Sequence, residues 1–419
     1  MSDKKIKVLT ISDIPLGPSG VGIQTRNFIE GLLKTGKFKV VSLGGAIKHR
    51  EYKPIKTEEW GDDFIVYPVD GFGSEGIIRS ILRNERPDVM WIMTDPRFFE
   101  WLWSIENEIR SLVPLVYYHV WDNYPYPTFN NPWYSSNDKI VTISKITDDI
   151  VRNVAPEVDV EYLPHAVNNE IFKSLDQEII KKLREDNFGD DKDKFIFFWN
   201  NRNAKRKMSS SLIYWFKTFL DKVGHDKAML IMHTDPKDIN GPDLEAIVAE
   251  LKLDKGQVMF SVNKLSDQDL AAMYNLVDCT INISDAEGFG LATLESLACG
   301  TPIIVNMTGG LQEQITDGKE FFGIPIYPVS KPIIGSQNVP FIYEDVINEE
   351  SFVNALEKFC LLTEEERIEM GLKGQKHVLT NYSFEKYQTR WAEIMEEIHN
   401  AHGSWLTKTK AQRYKMEIV

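Results

Sequence analysis

Two successive series of short apolar runs, each run followed by a segment with helical apolar spacing, restrict this chain to parallel α/β architecture. The first series opens with KIKVLTIS, dense in β-branched residues, then the loop DIPLGPSGVG, then IQTRNFIEGLLKTG. In that last piece Ile23, Phe28, Ile29, Leu32 and Leu33 fall near helical spacing, and Gly36 can end the helix. VMWIM, LVPLVYYHV and KIVTIS, the last followed by the helical KITDDIVRNV, continue the pattern. Between Leu163 and Asp193 the chain becomes turn-rich and charged, and a second series then runs from FIFFWNN through AMLIMH, QVMFSV and CTINIS to PIIVN. A length of 419 residues exceeds what one core supports, so two α/β domains are expected. The predicted boundaries are 1–180 and 181–382, with 383–419 as a helical segment crossing back to or bridging the N-terminal domain, since Tyr387, Trp391, Ile394 and Ile398 recur at helical spacing. Phe321 to Tyr343, rich in Pro, Gly and Ile, reads as an irregular connection.

Composition narrows the class of protein. With 42% hydrophobic and 26% charged residues the chain reads as an ordinary globular protein. No run approaches the roughly 18–20 apolar residues that span a bilayer, and the apolar run before Asp13 is too short for a signal-peptide core, so a cytoplasmic location is expected. Cys279, Cys299 and Cys360 lack metal-ligand spacing and read as reduced, buried thiols. A formal charge of -14 opposes wholesale binding to a polyanion, leaving two local basic patches, RNAKRK at Arg202 to Lys207 and KTKAQRYK at Lys408 to Lys415.

SDAEGFGLATLESLACGTP, from Ser284 to Pro302, places a tight turn between the strand CTINIS and a helix whose Leu291, Leu294, Leu297 and Ala298 form one apolar face. Free backbone amides and the positive end of the dipole follow directly on Gly288 and Gly290, a setting for an anion. Glu295, about two turns in, does not serve an anion but can accept hydrogen bonds from hydroxyls attached to it. A phosphorylated sugar or a nucleotide meets that description, with hydroxyls to Glu287 and Glu295. A solvated Glu295 with Glu287 as a helix-entry carboxylate fits the residues equally well.

The stretch EGFGLATLESLACGTPIIVNMTGGLQE resembles the signature of glycosyltransferase family 4 (glycosyl transferases group 1), retaining enzymes of the GT-B fold, in which two Rossmann-like α/β domains face each other across a cleft. Both glutamates of the E-x7-E pair, both turn glycines and the following Gly-Gly are present; Ala292 stands where the family usually has proline. The resemblance implies that Glu287 contacts the transferred sugar, that amides of Gly288, Phe289, Gly290, Leu291 and Ala292 hold sugar and diphosphate, and that Glu295 contacts the ribose. WNNRNAKRK resembles the family's Arg-x4-Lys diphosphate clamp, here Arg202 and Lys207, with Arg206 a close competitor. FSVNKLSDQDLAAMYNLVD resembles the segment framing the base, which nominates Val262 and Leu265.

In the N-terminal half, GPSGVG takes the place of the family's glycine loop, making Gly20 a donor contact; the spacing Gly17, Gly20, Gly22 is not G-x-G-x-x-G and disfavours an NAD enzyme. His119 in YYHVWDNYP stands where many family members carry a histidine near the transferred sugar, with Asp122 close enough in sequence to orient it. The aromatic loop WDNYPYPTFNNPWYSS, with Asp122, Tyr124 and Tyr126, is a candidate acceptor platform or a packed surface loop. The expected activity is retaining transfer from a UDP- or GDP-sugar to a hydroxyl of a saccharide or lipid-linked saccharide. No Asp-x-Asp pair falls in a donor loop and cations replace a metal, so no cofactor is expected. A hydroxymethylated base in DNA as acceptor, a sugar-nucleotide epimerase and a non-catalytic nucleotide-sugar-binding protein remain alternatives; donor base and oligomeric state are not legible.

Overall fold

The computed structural model describes residues 5–403, and they divide into two compact units. The basic segment Lys408 to Lys415 lies outside the described residues.

Within the described residues, the first unit comprises 5–121, Tyr126–His165 and 385–403. Its sheet runs in the order Ile55–Lys56, Phe64–Pro68, Phe38–Gly45, Ile6–Asp13, Val89–Met93, Leu115–His119, Lys139–Thr142, Val160–Tyr162. All neighbours are parallel except the short Ile55–Lys56 edge. Without that edge the order by appearance is 3-2-1-4-5-6-7, a doubly wound Rossmann arrangement. Val89–Met93 and Leu115–His119 are buried along their whole length, as strands covered on both faces must be, and this is why they read as unbroken apolar runs.

The helix Phe384–His402 completes this unit's core. Trp391 is fully buried and meets Phe28 edge-on at 5.0 Å, Trp91 at 5.9 Å and Tyr118 at 4.9 Å, while Phe28 stacks on Trp91 at 4.3 Å. Arg390 fixes its register through Glu161, with nitrogen to oxygen distances of 2.6 and 3.0 Å. The segment expected to cross back or bridge is, over its described part, an integral layer of the first unit.

The second unit comprises Asp122–Pro125 and Ala166–Phe384. Its main sheet has six strands, all parallel, in the order Val258–Ser261, Ala228–His233, Phe195–Asn200, Cys279–Asn282, Ile303–Asn306, Gly323–Ile326. By appearance this is again 3-2-1-4-5-6. Phe197, Phe216 and Phe219 pack at 5.8–6.2 Å at the centre of its core.

One boundary and one segment differ from expectation. The first division lies at 165/166 rather than 180, because the intervening chain is tied to the second unit: Ser174 Oγ donates to Cys299 O at 2.9 Å, and the Asn275 side chain joins Leu175 N at 2.8 Å and Lys173 O at 3.0 Å. The segment Phe321 to Tyr343 is not irregular throughout. It supplies the edge strand Gly323–Ile326, where Pro325 costs no ladder bond, and an antiparallel pair, Ile333–Ile334 with Ile342–Tyr343. Cys279 and Cys299 are buried, free thiols as expected; Cys360 is half-buried and also free.

Candidate functional site

In an open doubly wound sheet, ligands bind beyond the carboxyl ends of the strands where the order reverses. In the second unit that point lies between Phe195–Asn200 and Cys279–Asn282, which pair directly; Arg202, Arg206 and Lys207 follow the first of these strands and Glu287 the second.

After Asn200 the chain forms a short 3-10 turn, Lys205–Lys207, ended by Met208 at φ 55°. That turn buries Lys207, which is 7% exposed, against Glu287, which is 9% exposed. The Lys207 ammonium donates to Glu287 Oε2, and Asn282 Nδ2 reaches the same oxygen at 3.4 Å. Arg206 Nη1 donates to Ala286 O at 2.5 Å, and Asp285 N donates to Arg206 O at 2.9 Å, locking the two loops together. Burial alone would raise the Glu287 carboxyl, but the charges of Lys207 and Arg206 overcome it and hold the group at about 2. Burial pulls the Lys207 ammonium down while Glu287 supports it. Glu287 is therefore ionised at neutral pH.

The turn itself is shaped by glycines that nothing else can replace. Gly290, at φ 90°, is the N-cap of Leu291–Ala298 and contributes no side-chain hydrogen bond to the first-turn amides. The amides of Leu291 and Ala292 therefore receive no bond from a cap side chain. Gly309, at φ 49°, presses so close that a Cβ there would stand 1.8 Å from Glu287 O. Gly310 N donates to Glu287 O at 3.0 Å and Gln314 Nε2 to Phe289 O at 2.7 Å, while the Phe289 ring is buried beside Tyr382. Gly288 lies between these two anchored carbonyls.

Glu295 is partly buried, with Oε2 accepting from Tyr274 Oη at 2.8 Å. Burial pushes its carboxyl up to about 8 despite that bond. Val262 is 60% exposed and Leu265 half-buried, just past the end of Val258–Ser261.

Other candidates are placed differently. Arg202 turns away to Asp238, at 2.6 Å, with its side chain 65% exposed; Arg206 is the arginine beside the buried pair. Asp122 belongs to the second unit, where burial raises its carboxyl to about 6 against the pull of Arg206 and Lys207. It does not orient His119. That histidine is fully buried in the first unit with Nε2 at 2.7 Å from Tyr134 Oη, and burial holds its imidazole neutral by lowering it to about 3. Tyr124 joins the second unit through its carbonyl, which accepts from Tyr343 N at 2.5 Å. Tyr126 is 43% exposed in the first unit and donates to Asp149 at 3.0 Å. Most of the remaining aromatic loop is packed, with Trp121 and Tyr134 buried. Gly20 opens the helix Gly20–Lys34 of the first unit behind Ser19, whose Oγ accepts from Gly22 N at 3.0 Å and donates to Asp13 at 2.6 Å.

Residues 180–332 match the model of the family Glycosyl transferases group 1. A D-inositol 3-phosphate glycosyltransferase of Pseudarthrobacter chlorophenolicus is 34% identical over 77 residues, 18% of each chain. The alpha-monoglucosyldiacylglycerol synthase of Streptococcus pneumoniae is 25% identical over 192 residues, covering 45% of this chain and 42% of that one. The matches thus span less than half the length of these curated relatives. Sucrose-phosphate synthase from Thermosynechococcus elongatus superposes with a TM-score of 0.74 at 14% identity, covering 95% of this chain and 100% of that one. Anabaena HepE, in a complex with UDP and glucose, gives 0.67 at 14% identity over 94% and 100%. The fold is GT-B. Among the described residues, no helix is long and apolar enough to cross a membrane.

Proposed function

Taking residues 180–332 as a glycosyl transferases group 1 domain, we propose that the chain is a retaining, metal-independent glycosyltransferase that moves a sugar from a nucleoside diphosphate sugar to a hydroxyl of a saccharide or lipid-linked saccharide. The observation that carries this reading is the buried Lys207–Glu287 pair with Arg206 beside it, next to a helix start that lacks a side-chain cap. A diphosphate gains negative charge as the sugar leaves. Cations and amides fixed beforehand in a shielded place stabilise that charge more in the transition state than in the ground state, and they supply what a divalent ion would otherwise supply.

Glu287, kept ionised by its cations, accepts hydroxyls of the transferred sugar, and Glu295 accepts those of the ribose. The acceptor hydroxyl attacks from the face the diphosphate vacates and passes its proton to the departing phosphate oxygen. No carboxylate nucleophile is required. The UDP-glucose bound by HepE and the UDP-2-fluoro glucose in an Escherichia coli trehalose-6-phosphate structure make UDP-sugars the first donors to test. The names of the two curated relatives make a polyol phosphate and the free hydroxyl of a diacylglycerol-type lipid further acceptors to test.

Calorimetric titration with UDP, GDP, ADP and TDP in metal-free buffer tests the reading. One diphosphate is expected to bind selectively, and turnover of its sugar conjugate is expected to persist in chelator. Failure of all four removes the donor site, and activity restored only by magnesium or manganese removes metal independence. Arg206→Ala is expected to lower turnover about 100-fold, the scale of one transition-state charge contact, whereas Arg202→Ala stays within about threefold. The opposite ranking returns the clamp to Arg202.

A further inference from the structure

One buried hydrogen-bond relay near the turn is not used by the reaction as derived above. Asn200, the last residue of its strand, donates from Nδ2 to Tyr274 Oη at 2.9 Å, and Tyr274 Oη donates to Glu295 Oε2 at 2.8 Å. Tyr274 is fully buried on the helix Asp267–Leu276, its ring edge-on to Phe198 at 5.4 Å and tilted against Phe172 at 6.2 Å. A phenol has one proton. Because the amide of Asn200 can only donate from nitrogen, it takes a lone pair of the phenol oxygen and leaves the phenol proton for Glu295. The relay therefore has one direction, and it ends on one of the two carboxylate oxygens.

We propose that Asn200 and Tyr274 are positioning residues for donor recognition: they occupy Oε2 of Glu295 and hold its carboxylate in one rotamer, so that Oε1 is presented to the ribose hydroxyls of the nucleotide. This rests on the reading of Glu295 as the ribose contact. A long carboxylate on the second turn of a helix otherwise samples several rotamers, and fixing it beforehand removes an ordering cost from nucleotide binding. The other ionisable groups acting near this cluster are Asp267, on the helix of Tyr274, and Cys299, at the end of the helix of Glu295. The Cys299 thiol donates elsewhere, to Ala271 O.

The experiment compares the nucleoside diphosphate that the full chain binds with its 2′,3′-dideoxy analogue, by calorimetry, on the unaltered protein, Tyr274→Phe and Asn200→Ala. The unaltered protein is expected to prefer the ribonucleotide by about 10-fold, the scale of one good hydrogen bond to the ribose. Tyr274→Phe, which keeps the buried ring, is expected to reduce that preference to about threefold or less while leaving affinity for the dideoxy analogue unchanged. In turnover, donor KM rises with kcat nearly constant. Asn200→Ala, at a half-buried position, is expected to move the same way by a smaller factor and serves if the tyrosine variant does not fold. A Tyr274→Phe protein that keeps the full ribose preference, or that loses affinity equally for both nucleotides, overturns the positioning role. Equal binding of both nucleotides by the unaltered protein overturns it too, while leaving the donor site standing. If no nucleoside diphosphate binds the unaltered protein, both this inference and the glycosyltransferase reading fall.

Discussion

Lys207→Ala is expected to lower turnover by about a thousandfold, the upper range for loss of one preorganised charge contact. The lysine is buried against Glu287 with Arg206 as the nearest other cation, so no surface lysine can replace it. The same variant is expected to lose stability, because removing one partner of a buried ion pair leaves the other charged and costs about 3–5 kcal/mol. Its pH dependence follows from Glu287. In the unaltered protein the carboxyl is held at about 2, below its ordinary 4.5; the stabilisation it provides is full above the ordinary value and is lost only as pH falls toward 2. Without Lys207 the largest force lowering that value is gone and burial raises it. The variant then becomes relatively less stable as pH rises through the raised value. Thermal melts between pH 4 and 8 read this sign. Adding Glu287→Gln to Lys207→Met removes the stranded charge and is expected to restore most of the melting temperature and none of the turnover. Activity regained in that double variant would show that Lys207 serves the fold alone.

Gly309→Ala is expected to abolish activity, by at least about 100-fold, through geometry rather than charge. A Cβ there meets Glu287 O at 1.8 Å and its carbonyl carbon at 2.8 Å. Both are backbone, and the turn that carries them also carries the sugar carboxylate. The left-handed φ of 49° adds its own cost. Gly318→Ala is the matched control: φ is 89° but no atom lies within 4 Å of the new methyl group. It is expected to cost about 1–2 kcal/mol from the backbone alone and to leave the rate unchanged. Rates for Gly309→Ala within threefold of the unaltered protein would show that the 309–310 backbone does not set the position of Glu287.

The two parallel sheets were legible because their strands are buried on both faces and so read as unbroken apolar runs, VMWIM and FIFFWN among them. The Glu287 turn was legible because its glycines and carboxylates are contiguous. What escaped was set by long-range contact. Arg202 and Arg206 are four positions apart in one basic run, and only the 3-10 turn at Lys205–Lys207 with left-handed Met208 decides which one faces Glu287. Asp122 adjoins His119 in sequence, yet it folds with the second unit through neighbours such as Asn123, whose side chain donates to Tyr343 O at 2.9 Å. Tyr274 reads as one more apolar position in AAMYNLV, since nothing local shows that Asn200, 74 residues earlier, awaits its hydroxyl. The 165/166 division was hidden in the same way, behind bonds from Ser174 and Asn275 to distant backbone.

The helix Phe384–His402 gives the chain an order of assembly. When residues up to His165 have left the ribosome, Phe28, Trp91 and Tyr118 are all present but Trp391, the side chain that packs against all three, has not been made. The 219 residues Ala166–Phe384, nearly all of the second unit, must be translated before it arrives. The first unit to be synthesised is thus the last to be finished, and during that interval the aromatic face that Trp391 covers stays open. A cut at the domain boundary, which would seem to yield two separable halves, yields one of them without its final layer.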